Sequence, residues 1–262
     1  LGFTLYDVAF SRSNLNPLRE LSCLRGLRRI FRIAAPTLVH NVTIKPVVLG
    51  GLLCRLEKIP SVLSLPGLGS LYTSHKLLDR ALRWFVEQLL RLPLMATRSI
   101  TLLENQHDRT ILVERRVLSE NSARVIAGAG VDLNRFLYIR ESEKPPLKIL
   151  FAARLIASKG LESLVEAVGA LSAKGLDLQL HVAGILDGDS RDAIDGRQID
   201  AWRALDYVVW HGEVKDVERL ISACHIVCLP TRYGEGIPRI LIEAAACGRP
   251  VVSTRVPGCS EF

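Results

Sequence analysis

Short aliphatic runs and helix-period segments alternate down this chain, and that alternation admits few folds. In the second half, LKILFAAR (147–154), LQLHVAG (178–184), YVVWHG (207–212), HIVCLP (225–230) and PVVST (250–254) are apolar runs of strand length. Between the first two, Leu161, Leu164, Val165, Val168 and Leu171 fall on one helical face. Strands that are apolar throughout are buried on both sides, and those joined by a helix pair in parallel. The expectation is an α/β chain with a doubly wound parallel sheet. A polar loop is expected after 184, running through 200.

The first half repeats the pattern less regularly. Strands are expected at 3–10, 37–43, 60–65, 99–105 and 123–130, with helices at Arg19–Ile33, Lys45–Leu56 and Ser74–Leu92. The charged, Pro-rich RESEKPPLK reads as a linker. The expected division is therefore a domain over 1–140, a linker over 141–148 and a second domain over 149–262.

Charge separates these halves. The chain is +7 overall, but residues 1–140 hold 20 Lys/Arg against 10 Asp/Glu. A basic half suits a membrane surface or a phosphorylated substrate. Without aromatics interleaved among the arginines, nucleic acid is not expected as a partner. The segment 75–96 (HKLLDRALRWFVEQLLRLPLMA) is basic and amphipathic, and reads either as a helix packed on its sheet or as one lying on a membrane. No apolar run is long enough to span one. The six cysteines are scattered among apolar neighbours, without C-x-x-C spacing. That predicts reduced, buried thiols and a cytoplasmic compartment. The histidines show no metal-ligand spacing, so no metal is expected.

Ligands of doubly wound sheets bind beyond the carboxyl ends of the strands. Arg154 directly follows one strand, and Lys159 precedes Gly160 at the start of a helix. A guanidinium fork, an ammonium and helix amides together suit a diphosphate; two solvated surface cations are the plainer reading. Glu235, Gly236, Ile237 and Pro238 follow the strand ending at 230, with Ile237 and Pro238 expected to open a helix. Glu243 lies two turns further on, among residues suited to burial. A buried carboxylate needs donors; ribose hydroxyls or a structural hydrogen bond would both serve. In the first half, His40, Lys45, Gly67 and Gly69 stand at strand ends as acceptor-side candidates, against a packed His, a surface Lys and ordinary glycine turns. No G-x-G-x-x-G opens a helix, so no nicotinamide site is indicated. Asp187-Gly188-Asp189 has D-x-D form but reads as a solvated loop.

ARLIASKG, VAG, WHGEV and LPTRYGEGIPRILIEAAACGRPVVST, with the E-x7-E spacing of Glu235 and Glu243, resemble the retaining glycosyltransferases of family 4. TLVHNVTIKPVVLGG, PGLGSLYT and AGAGVDLNRF resemble the same family's first domain, with Val42 in place of the second His of an H-x-H-x-x-K pattern. The closest branch extends lipid-linked (undecaprenyl diphosphate) oligosaccharides or capsular repeats. The resemblance implies a GT-B fold, two Rossmann-like domains facing across a cleft, both incomplete here. It implies a UDP- or GDP-sugar donor and a lipid-linked or saccharide acceptor. It also implies peripheral attachment to the cytoplasmic membrane, with no metal or cofactor. Arg154 and Lys159 would hold the donor diphosphate and Glu243 the ribose. Glu235, with the amides of Gly236 to Pro238, would orient the transferred sugar. A nucleotide-sugar epimerase, a phosphorylase and a non-catalytic sugar-nucleotide-binding domain remain as alternatives.

Overall fold

The computed structural model describes residues 2–8, 17–69, 72, 76–188, 190 and 192–262. Contacts divide the chain into two units, Leu1–Ile126 and Ala127–Phe262.

In the first unit, α1 (Pro17–Ala34) precedes β1 (Val39–Val42), α2 (Ile44–Glu57), β2 (Ser61–Leu65), α3 (Leu77–Leu94), β3 (Ser99–Leu103), α4 (Gln106–Glu114) and β4 (Ala123–Val125). The strands form a parallel sheet in the order β1-β2-β3-β4. Its core gathers Val47, Leu63, Leu65, Leu90, Leu94, Leu103 and Leu112. Pro93 sits inside the last turn of α3 and meets α2 at Gly51, where a Cβ would lie 2.6 Å from Pro93 Cβ. The expected strand at 3–10 does not form over residues 3–8, and residues 9 and 10 lie outside the described set. Phe3 and Leu5 are exposed there, so nothing offsets the cost of ordering the segment. The strand expected at 123–130 ends at Val125, as a glycine-containing turn takes over.

The second unit is built on β5 (Leu147–Ala152), α5 (Leu161–Ser172), β6 (Leu178–Ala183), α6 (Gly196–Arg203), β7 (Val208–Gly212), α7 (Val217–Ala223), β8 (Ile226–Leu229), α8 (Arg239–Ala246) and β9 (Val251–Ser253). Its sheet is parallel in the order β7-β6-β5-β8-β9. The progression reverses between β5 and β8, which makes their carboxyl ends the switch point. Leu150, Phe151, Leu161, Leu180, Ile221, Val227 and Leu241 form the core, which Leu164, Val165 and Val168 of α5 join.

Two expectations are corrected in this unit. The polar stretch before 200 turns helical at Gly196: Asp195 accepts from the Arg197 N–H and caps α6, whose Ile199 and Trp202 are buried three positions apart. The boundary also moves from 141–148 to 126/127. Phe136 enters the second core, Arg135 pairs with Glu218 at 2.7 Å, and Arg249 donates to the Ile139 carbonyl at 2.6 Å. Segment 127–140 therefore packs into the second unit.

The described cysteines are all free. Burial pushes the Cys224 thiol up to about 12 and Cys228 to about 11, away from the reactive thiolate. Among the described residues no helix is long and apolar enough to cross a membrane.

Candidate active site

At the switch point the structure assembles a basic and acidic cluster from three loops. Gly160 begins the assembly. Its φ of 79° belongs to the left-handed region, and a Cβ there would stand 2.0 Å from the Pro230 carbonyl oxygen. Only glycine lets the turn before α5 press against the end of β8. The contact is then tied by hydrogen bonds: the Arg232 N–H donates to Ser158 O at 2.7 Å and Thr231 Oγ1 to the same oxygen at 3.3 Å.

Lys159 is thereby carried into the loop that succeeds β8. Its Nζ donates to Glu235 Oε2 in a short ion pair and stands 5.2 Å from the centroid of the Tyr233 ring. Both partners are largely shielded, their side chains 9% and 16% exposed, so this pair is far less screened than a surface one.

Arg154, just beyond β5, donates to Asp187 Oδ2 at 2.7 Å. Burial disfavours its charge, but Asp187 and the Tyr233 hydroxyl outweigh burial and raise its pKa. Asp187 is therefore an ion-pair partner rather than the solvated loop residue expected; Asp189 lies outside the described residues.

Glu235 is braced from the other side. Its N–H donates to Pro257 O at 3.3 Å, and Gly258, at φ 81°, sits where a Cβ would be 1.9 Å from Gly236 O. Helix α8 begins at Arg239, with Pro238 as its N-cap residue rather than inside its first turn. Pro238 has no N–H, so it cannot be one of the amide donors expected over Gly236 to Pro238. The Arg239 and Ile240 N–H groups, at the first two helical positions, have no acceptor within the helix. Glu243 is buried, as expected, and takes a 3.0 Å hydrogen bond from Arg239 one turn back. Lys159 and Glu235 thus meet directly, Tyr233 contacts Lys159 and Arg154, and Glu243 keeps its own partner.

In the first unit Lys45, Gly67 and Gly69 follow the carboxyl ends of β1 and β2, whereas His40 lies within β1. Thr43, at φ 76°, is the single residue between β1 and α2. Lys45, in the first turn of α2, donates to Glu20 of α1 at 2.5 Å, and His40 Nε2 lies 2.7 Å from Ser64 Oγ of β2. Gly67 and Gly69 flank buried Leu68, whose N–H donates to Asp108 Oδ2 at 3.3 Å. Asn105 caps α4 through the Asp108 N–H at 2.7 Å and donates to the Asp108 carboxylate at 3.1 Å. Asn105 and Asp108 escaped the sequence reading, although an Asn three residues before an Asp at a strand's end is a capping signal. Tyr233 and Gly258 escaped it too; the Pro257-Gly258 pair marks a turn, but nothing local shows that the turn braces Glu235.

His181 and His211 stack with ring centroids 5.1 Å apart and share a 2.9 Å hydrogen bond within the second sheet. Among the described residues no group of His, Cys, Asp and Glu is arranged to hold a metal; His75 lies outside the described residues.

Two all-parallel α/β sheets in one chain, the second with its charged cluster at a switch point, define the GT-B class of fold. Anabaena HepE, solved in complex with UDP and glucose, superposes with a TM-score of 0.70 over 96% of this chain and 68% of its own, at 20% identity. Residues 146–262 match the family model described as Glycosyl transferases group 1, and residues 2–103 match Glycosyl transferase 4-like. Both halves of the chain thus match glycosyltransferase family models. It is 26% identical, over its whole length and 70% of the relative's, to the N,N'-diacetylbacillosaminyl-diphospho-undecaprenol alpha-1,3-N-acetylgalactosaminyltransferase of Campylobacter jejuni. Over 52% of the chain it is 32% identical to the putative colanic acid biosynthesis glycosyltransferase WcaL of Salmonella typhimurium, spanning 35% of that relative.

Proposed function

We propose that this chain transfers a sugar from a nucleotide-sugar donor, a UDP-sugar foremost, to a lipid-linked acceptor at an anionic membrane surface, with retention at the anomeric carbon. The carrying observation is the shielded Lys159–Glu235 pair at the β5/β8 switch point, with Arg154 and Tyr233 beside it. The Campylobacter relative's lipid-diphosphate substrate and the UDP in HepE support the choice of acceptor and donor.

Arg154 and Lys159 take the donor diphosphate, and the charge that builds on it as the glycosidic bond breaks is stabilised by those fixed cations. Arg154 exchanges Asp187 for phosphate oxygens, while Lys159 stays in reach of both Glu235 and the leaving group. Glu235 and the N–H groups of Gly236 and Ile237 orient the sugar. Glu243 grips the ribose hydroxyls, turning from Arg239 to do so. The acceptor hydroxyl attacks from the face the diphosphate leaves, so no carboxylate nucleophile is needed and Glu235 is not assigned as one. The reading includes no metal and no cofactor. On the acceptor side, Lys45 and His40 meet the acceptor diphosphate beside the Gly67–Gly69 turn.

Thermal shift with a panel of UDP- and GDP-sugars, then NMR of the product's anomeric configuration, tests the reading. Glu243→Ala is expected to abolish donor binding while leaving the fold intact. Unchanged donor affinity in that variant, or an inverted product, defeats it.

A further inference from the structure

Helix α3 buries Glu87, Leu90, Pro93 and Leu94, yet its opposite face is apolar as well. At about 100° per residue, Leu77, Trp84, Phe85, Leu92 and Met95 share one stripe, with Leu78 and Leu89 at its border. Leu78, Trp84 and Phe85 are 85%, 62% and 54% exposed. Gln88 is the polar residue within the stripe, and no charged residue falls in it. A helix on a soluble surface turns its polar side outward, and a contiguous exposed apolar face marks a place of interaction.

The stripe runs into a basic cavity. Met95, at its end, lines an open cavity of about 450 Å³ together with Arg55, Lys58 and Arg98. Arg55 donates to Leu92 O at 2.6 Å and Arg98 to Lys58 O at 3.0 Å, which fixes both guanidinium groups at the rim. Each uses one of its five N–H groups in these bonds. Arg80, also exposed, borders the stripe nearer its start. Pairing this face with a second copy of itself would set cations near cations. An anionic lipid surface satisfies both features at once, with acyl chains for the stripe and phosphates for the cations.

We infer that α3 lies flat in the interface of an anionic phospholipid membrane, its Leu77–Met95 stripe at the acyl boundary and headgroup phosphates at Arg55, Lys58 and Arg98. The inference rests on the proposed membrane-borne acceptor and names the surface that meets the membrane. The chain passes from the carboxyl end of β2 into α3, so the start of the docked helix lies at the sheet edge that carries Lys45 and Gly67–Gly69. An acceptor diphosphate at the headgroup level would arrive at that edge.

Sedimentation of the chain with vesicles of phosphatidylcholine alone, and of phosphatidylcholine with phosphatidylglycerol, tests this. The chain is expected to bind the mixed vesicles, with Trp84 fluorescence quenched by brominated acyl chains. Trp84→Ser and Phe85→Ser should each weaken binding about tenfold. Lys58→Gln and Arg98→Gln should each weaken it about fivefold, and only on the anionic vesicles. Failure of the unaltered chain to bind, or a double Trp84→Ser/Phe85→Ser variant that sediments like it, overturns the inference. So does a dimer in light scattering that these substitutions dissolve, because the stripe would then be covered by a second copy. Donor binding is measured on the same samples: a chain that binds the donor but not vesicles defeats the docking face alone, and the reverse defeats the proposed transfer alone.

Discussion

Replacing Lys159 by Met offers the sharpest test of the switch-point cluster. The substitution keeps most of the side-chain volume and removes the charge, leaving the Glu235 carboxylate in a site where only 16% of its side chain reaches solvent. Breaking a fully buried pair from one side costs about 3–5 kcal/mol. The residual exposure of Glu235 outweighs the loss of the Tyr233 contact, which places the expected cost at the lower end of that range, about 3 kcal/mol. For a chain of this size that is a fall in Tm of roughly 6–12 °C. The double variant Lys159→Met/Glu235→Gln removes both charges, and a neutral pair of similar shape is nearly as stable as the ion pair. It should therefore recover about 2 kcal/mol relative to the sum of the single variants. Urea unfolding of all four proteins, read by circular dichroism, closes the cycle, and UDP-sugar titration should show both Lys159 variants binding more weakly. Strict additivity of the two substitutions would refute the view that this pair organises the loop.

Neighbouring groups lead to three further outcomes. Gly258→Ala places a Cβ against Gly236 O and forces φ 81° on an L-residue; a cost above about 2 kcal/mol and weaker donor binding are expected from calorimetry. Asp187→Asn releases Arg154 from a partly exposed pair, so stability should change by less than about 1 kcal/mol while donor affinity rises in titration calorimetry. Burial first, then the neighbouring His211 and Lys148, lower the His181 pKa to about 4. The fold therefore keeps this imidazole neutral where the unfolded chain protonates near its ordinary 6.5; its contribution is whole above that pH and is lost as pH falls toward about 4, by at most roughly 1.4 kcal/mol per pH unit. His181→Gln should flatten that dependence in urea midpoints taken at about pH 7 and about pH 5.

The sequence carried most of the second unit because its strands are apolar throughout and its helices keep period 3.6. Helix α6 was hidden because its exposed turns are polar, and Ile199 and Trp202 alone mark the buried side. The stretch 3–8 misled for the opposite reason: its alternation is strand-like, but pairing depends on a partner that no local pattern can supply. At the site, Arg154, Lys159, Glu235 and Glu243 stood out because cations and acids at strand ends need an explanation. Tyr233 did not, and Asp187 was noticed only for its D-x-D form and read as solvated, since a tyrosine and a loop aspartate are ordinary until the fold brings them to Arg154. The segment 127–140 was assigned to the wrong unit because a Pro-rich stretch looks like a linker, whereas Phe136 and Arg135 commit the chain to the second core earlier.

The loop that carries Glu235 is held from both directions of the chain. Ser158 fixes Thr231 and Arg232 from an earlier turn, while Thr254 donates to Thr231 O and Pro257 accepts from Glu235 from a later one. During synthesis, then, the strands and helices before it can settle while this loop still lacks half its supports. The cluster reaches its final geometry only after residue 258 has left the ribosome, so a nascent chain stalled shortly before that point would be folded around β5 and β6 with the cluster still unassembled.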